Sequence, residues 1–140
     1  MEYRRFNDTY VMRIARGEEV MTQIAELCRK EKILFASVEG IGAADKVVMG
    51  LYNVEEQQYH KTELTGEMEI TSLLGNVSEM NGEPYLHIHI NVADANGRAF
   101  GGHLNEAVIS ATGEIFIRCI EGHAGRAHDE ETGLNLYRFD

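Results

Sequence analysis

The stretch Tyr85–Ala93, YLHIHINVA, alternates apolar and polar residues along its whole length. Successive side chains of a β-strand point to opposite faces of a sheet, so this alternation predicts a strand with one face in the core and one polar face. The tetrapeptide that follows, Asp94–Gly97 (DANG), is typical of a hairpin turn whose glycine takes the left-handed conformation. Residues 85–104 therefore predict a β-hairpin.

The turn determines which residues of the two strands face each other. A three-residue loop, Ala95–Gly97, pairs Asp94 with Arg98 and continues the same register along both strands. This register places Ile88 opposite Leu104 and keeps the apolar residues on one face. A slip of one residue would turn the apolar side chains of one strand outward, so we prefer the first register.

The preferred register brings three histidines together on the polar face. His89 lies opposite His103, and His87 is two residues away on the same side. Cross-strand Cβ atoms lie about 4.5–5.5 Å apart, and from that spacing imidazole nitrogens can reach a zinc ion at about 2.0–2.1 Å. We predict a three-histidine site for zinc or a similar divalent metal, with one coordination position open. Gly101 and Gly102 leave room for another backbone, a ligand or a second subunit.

Other candidate sites have weaker signals. The alternative to a metal is that the three histidines merely form an exposed polar strand face. His123 and His128 lie in the acidic segment 121–131, which is most simply a solvated loop, and His60 is isolated. The glycines of Gly40–Gly42 lack the third glycine of a dinucleotide-binding motif, so we interpret them as a turn.

The rest of the chain predicts one helix among many strands. The helix extends from Glu18 to about Lys32, because Val20, Ile24 and Leu27 recur at helical spacing. Glycines between the apolar runs are interpreted as turn residues, and no second-domain boundary is visible, so one domain covers residues 1–140. The predicted strands are Tyr10–Ile14, Ile33–Val38, Lys46–Tyr52, Met68–Leu74, Pro84–Ala93, Arg98–Leu104, Ile115–Ile120 and Leu134–Phe139.

Composition excludes several classes of protein. The 140 residues include 13 Lys and Arg against 23 Asp and Glu, for a net charge of −10, with 44% hydrophobic residues. That hydrophobic content excludes a disordered acidic tail, and the negative charge disfavours sequence-independent binding to nucleic acid. Cys28 and Cys119 form no CxxC motif, which predicts buried thiols in a reducing compartment. Without a signal peptide or a long apolar run, a cytoplasmic location is expected.

Four motifs occur in an ordered series: GIGA at 40–43, GEMEITSLLGN at 66–76, LHIH at 86–89 and GGHL at 101–104. In these motifs the sequence resembles the PPC domain family of plants and prokaryotes, also called DUF296, from about Tyr10 to Ile120. The resemblance implies an α+β domain with one main helix packed on a strongly bent, mainly antiparallel sheet. It also implies a homotrimer and a metal, zinc or another divalent transition metal, at His87, His89 and His103.

The family resemblance also implies a link to DNA. Plant members of the family follow AT-hook segments in nuclear proteins, and stand-alone prokaryotic members carry a DNA-binding label by that association. An AT-hook needs an Arg-Gly-Arg core, whereas Gly125-Arg126 is followed by Ala127 in this chain. In addition, Glu67 stands where plant members carry an arginine in a segment implicated in partner contacts.

Two functional hypotheses follow from the sequence. The favoured one is a non-catalytic, metal-binding homotrimer that acts in regulation through protein partners or weak association with DNA. The alternative is a small zinc enzyme in which the open metal position holds water or a substrate oxygen and Glu69 or Glu114 acts as the general base. Whether the protein is an enzyme is left open.

Overall fold

The fold of residues 1–139, described by a computed structural model, consists of one helix and eight strands. The elements are β1 (Glu2–Phe6), β2 (Thr9–Ala15), α1 (Val20–Glu31), β3 (Ala36–Asn53), β4 (Gln58–Met80), β5 (Glu83–Asp94), β6 (Ala99–Cys119), β7 (Gly125–His128) and β8 (Asn135–Arg138). One helix combined with a mainly β chain is consistent with the predicted α+β class.

All eight strands belong to one sheet. Seven of them follow the order β1-β2-β6-β3-β4-β7-β8, and β5 pairs with both β4 and β6. Strands β3, β4, β5 and β6 therefore form a closed circuit of hydrogen-bonded neighbours, in which β5 pairs with β4 along its length and with β6 from His89 to Ala93. Within the described part of the chain the pairings are antiparallel except that between β4 and β7.

Helix α1 lies within the predicted range. The side chain of Glu19 accepts hydrogen bonds from the backbone N–H groups of Met21 and Thr22, which are among the N–H groups that a helix start leaves unsatisfied. Lys32 ends the helix with φ 55°, in the left-handed region. The apolar side of the helix is fully buried in the core shared with the sheet. Its buried residues are Val20, Ile24, Leu27 and Cys28.

The strands are longer than predicted. The runs Ile33–Val38 and Lys46–Tyr52, predicted as two strands, mostly lie in the single strand β3, and Arg98–Leu104 and Ile115–Ile120 mostly lie in β6. The predicted turn at Gly40–Gly42 is therefore wrong. Strand β1 was not predicted.

Close packing of neighbouring strands explains these internal glycines. A methyl group added at Gly42 would lie 2.4 Å from the backbone oxygen of Thr112, and one at Gly75 would lie 2.2 Å from the backbone oxygen of His87. At Gly40 it would meet the side chain of a core residue of β6 at 2.4 Å. These glycines therefore allow the strands to approach each other, and they do not mark chain reversals.

The two cysteines are free thiols, and Cys28 is buried as predicted, whereas Cys119 is half-buried. Burial raises the pKa of the Cys28 thiol to about 12.

Within the described residues, no helix is long and apolar enough to cross a membrane.

Candidate metal centre

The predicted hairpin forms with the preferred register. His89 on β5 is the direct partner of His103 on β6. At the turn, the backbone N–H of Asp94 donates to the carbonyl oxygen of Arg98 at 3.0 Å, and Gly97 has φ 73°. Backbone pairing therefore holds the Cα atoms of His89 and His103 opposite each other.

The three predicted histidines form one cluster. A ligand nitrogen from each of His87, His89 and His103 lies within 4.8 Å of the others, and the Nε2 atoms of His87 and His89 are 3.2 Å apart. Three nitrogens bound to one tetrahedral zinc are about 3.3 Å apart, given a bond of 2.0–2.1 Å. The donor set and its spacing thus fit a divalent metal that prefers imidazole.

The surroundings of the cluster favour the neutral forms of His87 and His103. Burial, followed by His103, His89 and Arg126, lowers the pKa of His87 to about 4. Burial and the nearby His89 also lower the pKa of His103. Metals bind the neutral imidazole, so at neutral pH little free energy is needed to remove a proton from these two groups.

These shifts predict that the metal-free protein loses stability as the pH falls from about 6.5 to about 4. In this window the unfolded chain takes up a proton at His87 that the folded chain does not, so acid favours unfolding. Urea unfolding across this pH range should show a smaller loss of unfolding free energy for His87→Ala than for the unmodified chain. An equal pH slope in both proteins would contradict the assigned pKa.

The histidines lie in a cleft of about 700 Å³. The hydroxyl of Tyr59 donates to Asn105 Oδ1 at 2.9 Å, and its ring meets the His103 ring edge-on at 5.7 Å between centroids. Gly102 packs on the β3 backbone, because an added methyl group would lie 2.7 Å from the carbonyl oxygen of Gly50. The approach of another backbone, one of the three roles predicted for Gly102, is confirmed.

The segment 121–131 is not the solvated loop that the sequence predicted, because it contains β7. Its Arg126 lines the histidine cleft and donates from Nε to Ser78 Oγ at 2.8 Å and from Nη2 to Asn76 Oδ1 at 3.0 Å. Arg126 was not predicted from the sequence as a site residue. The sequence signal for β7 is the alternation of small and polar residues in Gly125–His128 (GRAH), which is too short to predict a strand.

The remaining candidate residues lie outside the histidine cluster. His123 pairs with Glu79 at 2.9 Å and His60 with Glu56 at 3.3 Å. Glu114 lines a different cleft, near the N-terminus, and Glu69 lies in β4, where it does not line the histidine cleft. In the part of the chain that the structure describes, the candidate general bases are therefore not placed beside the predicted metal.

A model of the Plants and Prokaryotes Conserved (PCC) domain matches residues 1–121. The chain belongs to the PCC domain family. PCC and PPC abbreviate the same family name, so the resemblance inferred from the sequence is confirmed. The match leaves the β7–β8 hairpin of this PCC domain outside the family model.

Solved structures similar to this PCC domain include one protein named as metal-containing and one named as a candidate DNA-binding protein. A metal-containing protein from Archaeoglobus fulgidus is 34% identical, with a TM-score of 0.89 and coverage of 99% of this chain and 97% of that one. A candidate DNA-binding protein from Bacteroides thetaiotaomicron is 30% identical, with a TM-score of 0.96 and coverage of 99% and 96%. A PPC protein from Pyrococcus horikoshii is 33% identical, with a TM-score of 0.86 and coverage of 99% and 94%.

One curated relative is much longer than the chain. The bifunctional protein GlmU of a Synechococcus strain is 27% identical over 127 residues, which are 89% of this chain, and the chain spans 19% of its length. This similarity therefore concerns one part of a larger protein.

Proposed function

We propose that this PCC domain is a non-catalytic metal-binding protein that holds zinc, or another divalent transition metal, at His87, His89 and His103. The observation that carries the proposal is the convergence of three imidazole nitrogens within 4.8 Å of one another. The 34% identical relative named as metal-containing supports it. A bound metal would supply a Lewis acid with an open coordination position.

The enzyme alternative has no comparable support. Carboxylate side chains are absent among the described residues that line the cleft, and both candidate bases lie elsewhere. We therefore propose a binding role.

We also propose that the protein is cytoplasmic, because both cysteines are free thiols.

We also propose that the chain acts as a homotrimer through one face of its sheet. Direct partners form a row across five strands: Val11, Phe116, Glu39, Leu74 and His89. Paired residues point to the same side, so the row ends in the metal site at His89. We call this side, together with Ile41, the outer face.

The outer face exposes large apolar side chains. Ile41 is 58% exposed, Leu74 57% and Phe116 44%. Exposed apolar groups that cluster on one sheet face are typical of a surface that a partner covers. Two further copies of the chain are the occupants that the family resemblance favours.

Sedimentation velocity at micromolar concentration should give three times the chain mass of 15.7 kDa. Leu74→Glu should dissociate the trimer, because three charges would be buried in the interface. Val54→Glu changes an equally apolar residue that is 48% exposed but lies outside the outer face, and it should leave the trimer intact. Monomeric behaviour of the unmodified chain would overturn the trimer.

We propose no direct binding to DNA, although similar structures are named for it. Three chains of net charge −10 repel a polyanion. On the outer face, carboxylates offset the charge of Arg13, which pairs with Glu2 at 3.0 Å and lies opposite Glu114. A gel-shift titration should show no complex at physiological salt and at most weak binding at low salt. A complex that persists at physiological salt would contradict this proposal.

A further inference from the structure

The histidine cleft has a charge opposite to that of the chain. The protein has 23 acidic residues against 13 basic ones, yet none of the described residues that line the cleft is Asp or Glu. Among the described residues that line the cleft, Arg126 is the one with a permanent charge, and a bound divalent metal would add to it. In a strongly acidic protein, a cleft of this composition favours an anionic ligand.

Arg126 is held rigidly beside the histidines. Its Nη2 donates to Asn76, and Asn76 is the direct β4 partner of His87. The guanidinium lies over the rings of Tyr85 and Tyr137, at 4.8 and 4.3 Å from their centroids. These contacts fix the plane of the group and so reduce the entropy lost when it binds a ligand.

The arginine keeps donors for a ligand. Within the described residues, its Nε donates to Ser78, Nη2 to Asn76 and Nη1 to the carbonyl oxygen of Asn135, the last at 2.8 Å. A guanidinium has five N–H groups, so two remain available, one on each terminal nitrogen. A carboxylate has the planar shape that suits such donors.

The cleft walls are apolar. Its volume of about 700 Å³ is in the range typical of sites for small organic molecules. Two of the wall residues, Leu134 and Leu136, come with Arg126 from the segment beyond residues 1–121 that match the family model. The other apolar wall residues include Met49, Leu64 and Phe100.

We propose that this cleft binds a small monocarboxylate with an apolar body. The carboxylate lies beside the histidine cluster and Arg126, and the body lies against the walls that include Leu134 and Leu136. The segment that contains β7 and β8 thereby determines which ligand the domain accepts. The proposal rests on the metal site of the proposed function, since the metal supplies the second positive charge.

The test is a calorimetric titration of the zinc-loaded full chain with straight-chain alkanoates from acetate to hexanoate. Affinity should rise about fourfold for each added methylene, as expected from burial of a CH₂ group. Primary alcohols of equal length should bind at least tenfold more weakly. Cobalt-loaded protein should show a change in its visible spectrum when hexanoate is added, independently of the heat signal.

Two variants separate the head-group and body contacts. Arg126→Gln should weaken hexanoate binding at least tenfold while one zinc per chain is retained, and Arg126→Lys should restore part of the affinity. Leu136→Ala should reduce the gain in binding affinity for each added methylene, and it should leave the affinity for acetate unchanged. If Arg126→Gln fails to fold, the alkanoate series and Leu136→Ala decide the question.

The outcomes distinguish the two proposals. If zinc does not bind to the unmodified chain, the proposed metal site fails, and this inference fails with it. If one zinc binds per chain but hexanoate binds no more tightly than acetate or hexanol, only the carboxylate proposal is overturned. Equal affinities in Arg126→Gln and the unmodified chain would also overturn it.

Discussion

Replacement of His103 by alanine should reduce zinc affinity by more than the 10–100-fold that is typically lost when a residue hydrogen-bonded to a metal ligand is mutated. His103 is the only β6 member of the cluster, and the other two histidines lie on β5. Two imidazoles from one strand cannot complete a three-nitrogen site. The same loss is expected for His87→Ala, since each residue supplies one ligand atom.

Competition with a chelator, followed by calorimetry, measures this loss. The unmodified chain should bind one zinc, and His103→Ala should bind none at concentrations that saturate the unmodified chain. His60→Ala is the matched control, because His60 lines the same cleft but lies outside the cluster. Unchanged stoichiometry in His103→Ala would remove the proposed site.

Gly75→Ala should both destabilise the fold and weaken the metal site. An added methyl group would lie 2.2 Å from the backbone oxygen of His87 and 2.7 Å from the Cα of Ile88. Both atoms belong to the backbone of β5, so a side-chain rotation cannot relieve the clash. Overpacking of this kind costs about 1–3 kcal/mol, and we expect the upper end of that range.

The same shift of β5 should displace His87 from the cluster and lower zinc affinity at least tenfold. Urea unfolding and zinc titration of one sample measure both effects. Gly125→Ala is the control, since a methyl group there meets nothing closer than 3.4 Å and φ is not in the left-handed region. If Gly75→Ala is as stable as Gly125→Ala and binds zinc normally, close packing at Gly75 does not hold β5 and His87 in place.

Local chemistry made the hairpin and its site predictable from the sequence. The alternation in Tyr85–Ala93 and the turn residues of Asp94–Gly97 together specify one register, and that register places His89 opposite His103. Helix α1 was predictable for the same reason, because its apolar spacing repeats over several turns. In both cases the signal lies within about twenty residues of sequence.

What could not be predicted depends on distant contacts. Glycine is typical of turns, so the sequence alone favours turns at Gly40, Gly42 and Gly75. The neighbouring strands show that these glycines instead allow close packing. Arg126 acquires its position from Asn76 and Ser78, which lie about fifty residues earlier in the chain. No local pattern contains such information.

The central claim is that three histidines hold one metal ion, and zinc K-edge X-ray absorption of the zinc-loaded chain tests it most directly. We expect three nitrogen ligands at about 2.0–2.1 Å and one further light-atom ligand from solvent or a bound molecule. The same spectrum of His103→Ala should lose one imidazole contribution if residual zinc binds. A spectrum with fewer than three imidazole nitrogens, or with a sulfur ligand at about 2.3 Å, would contradict the account.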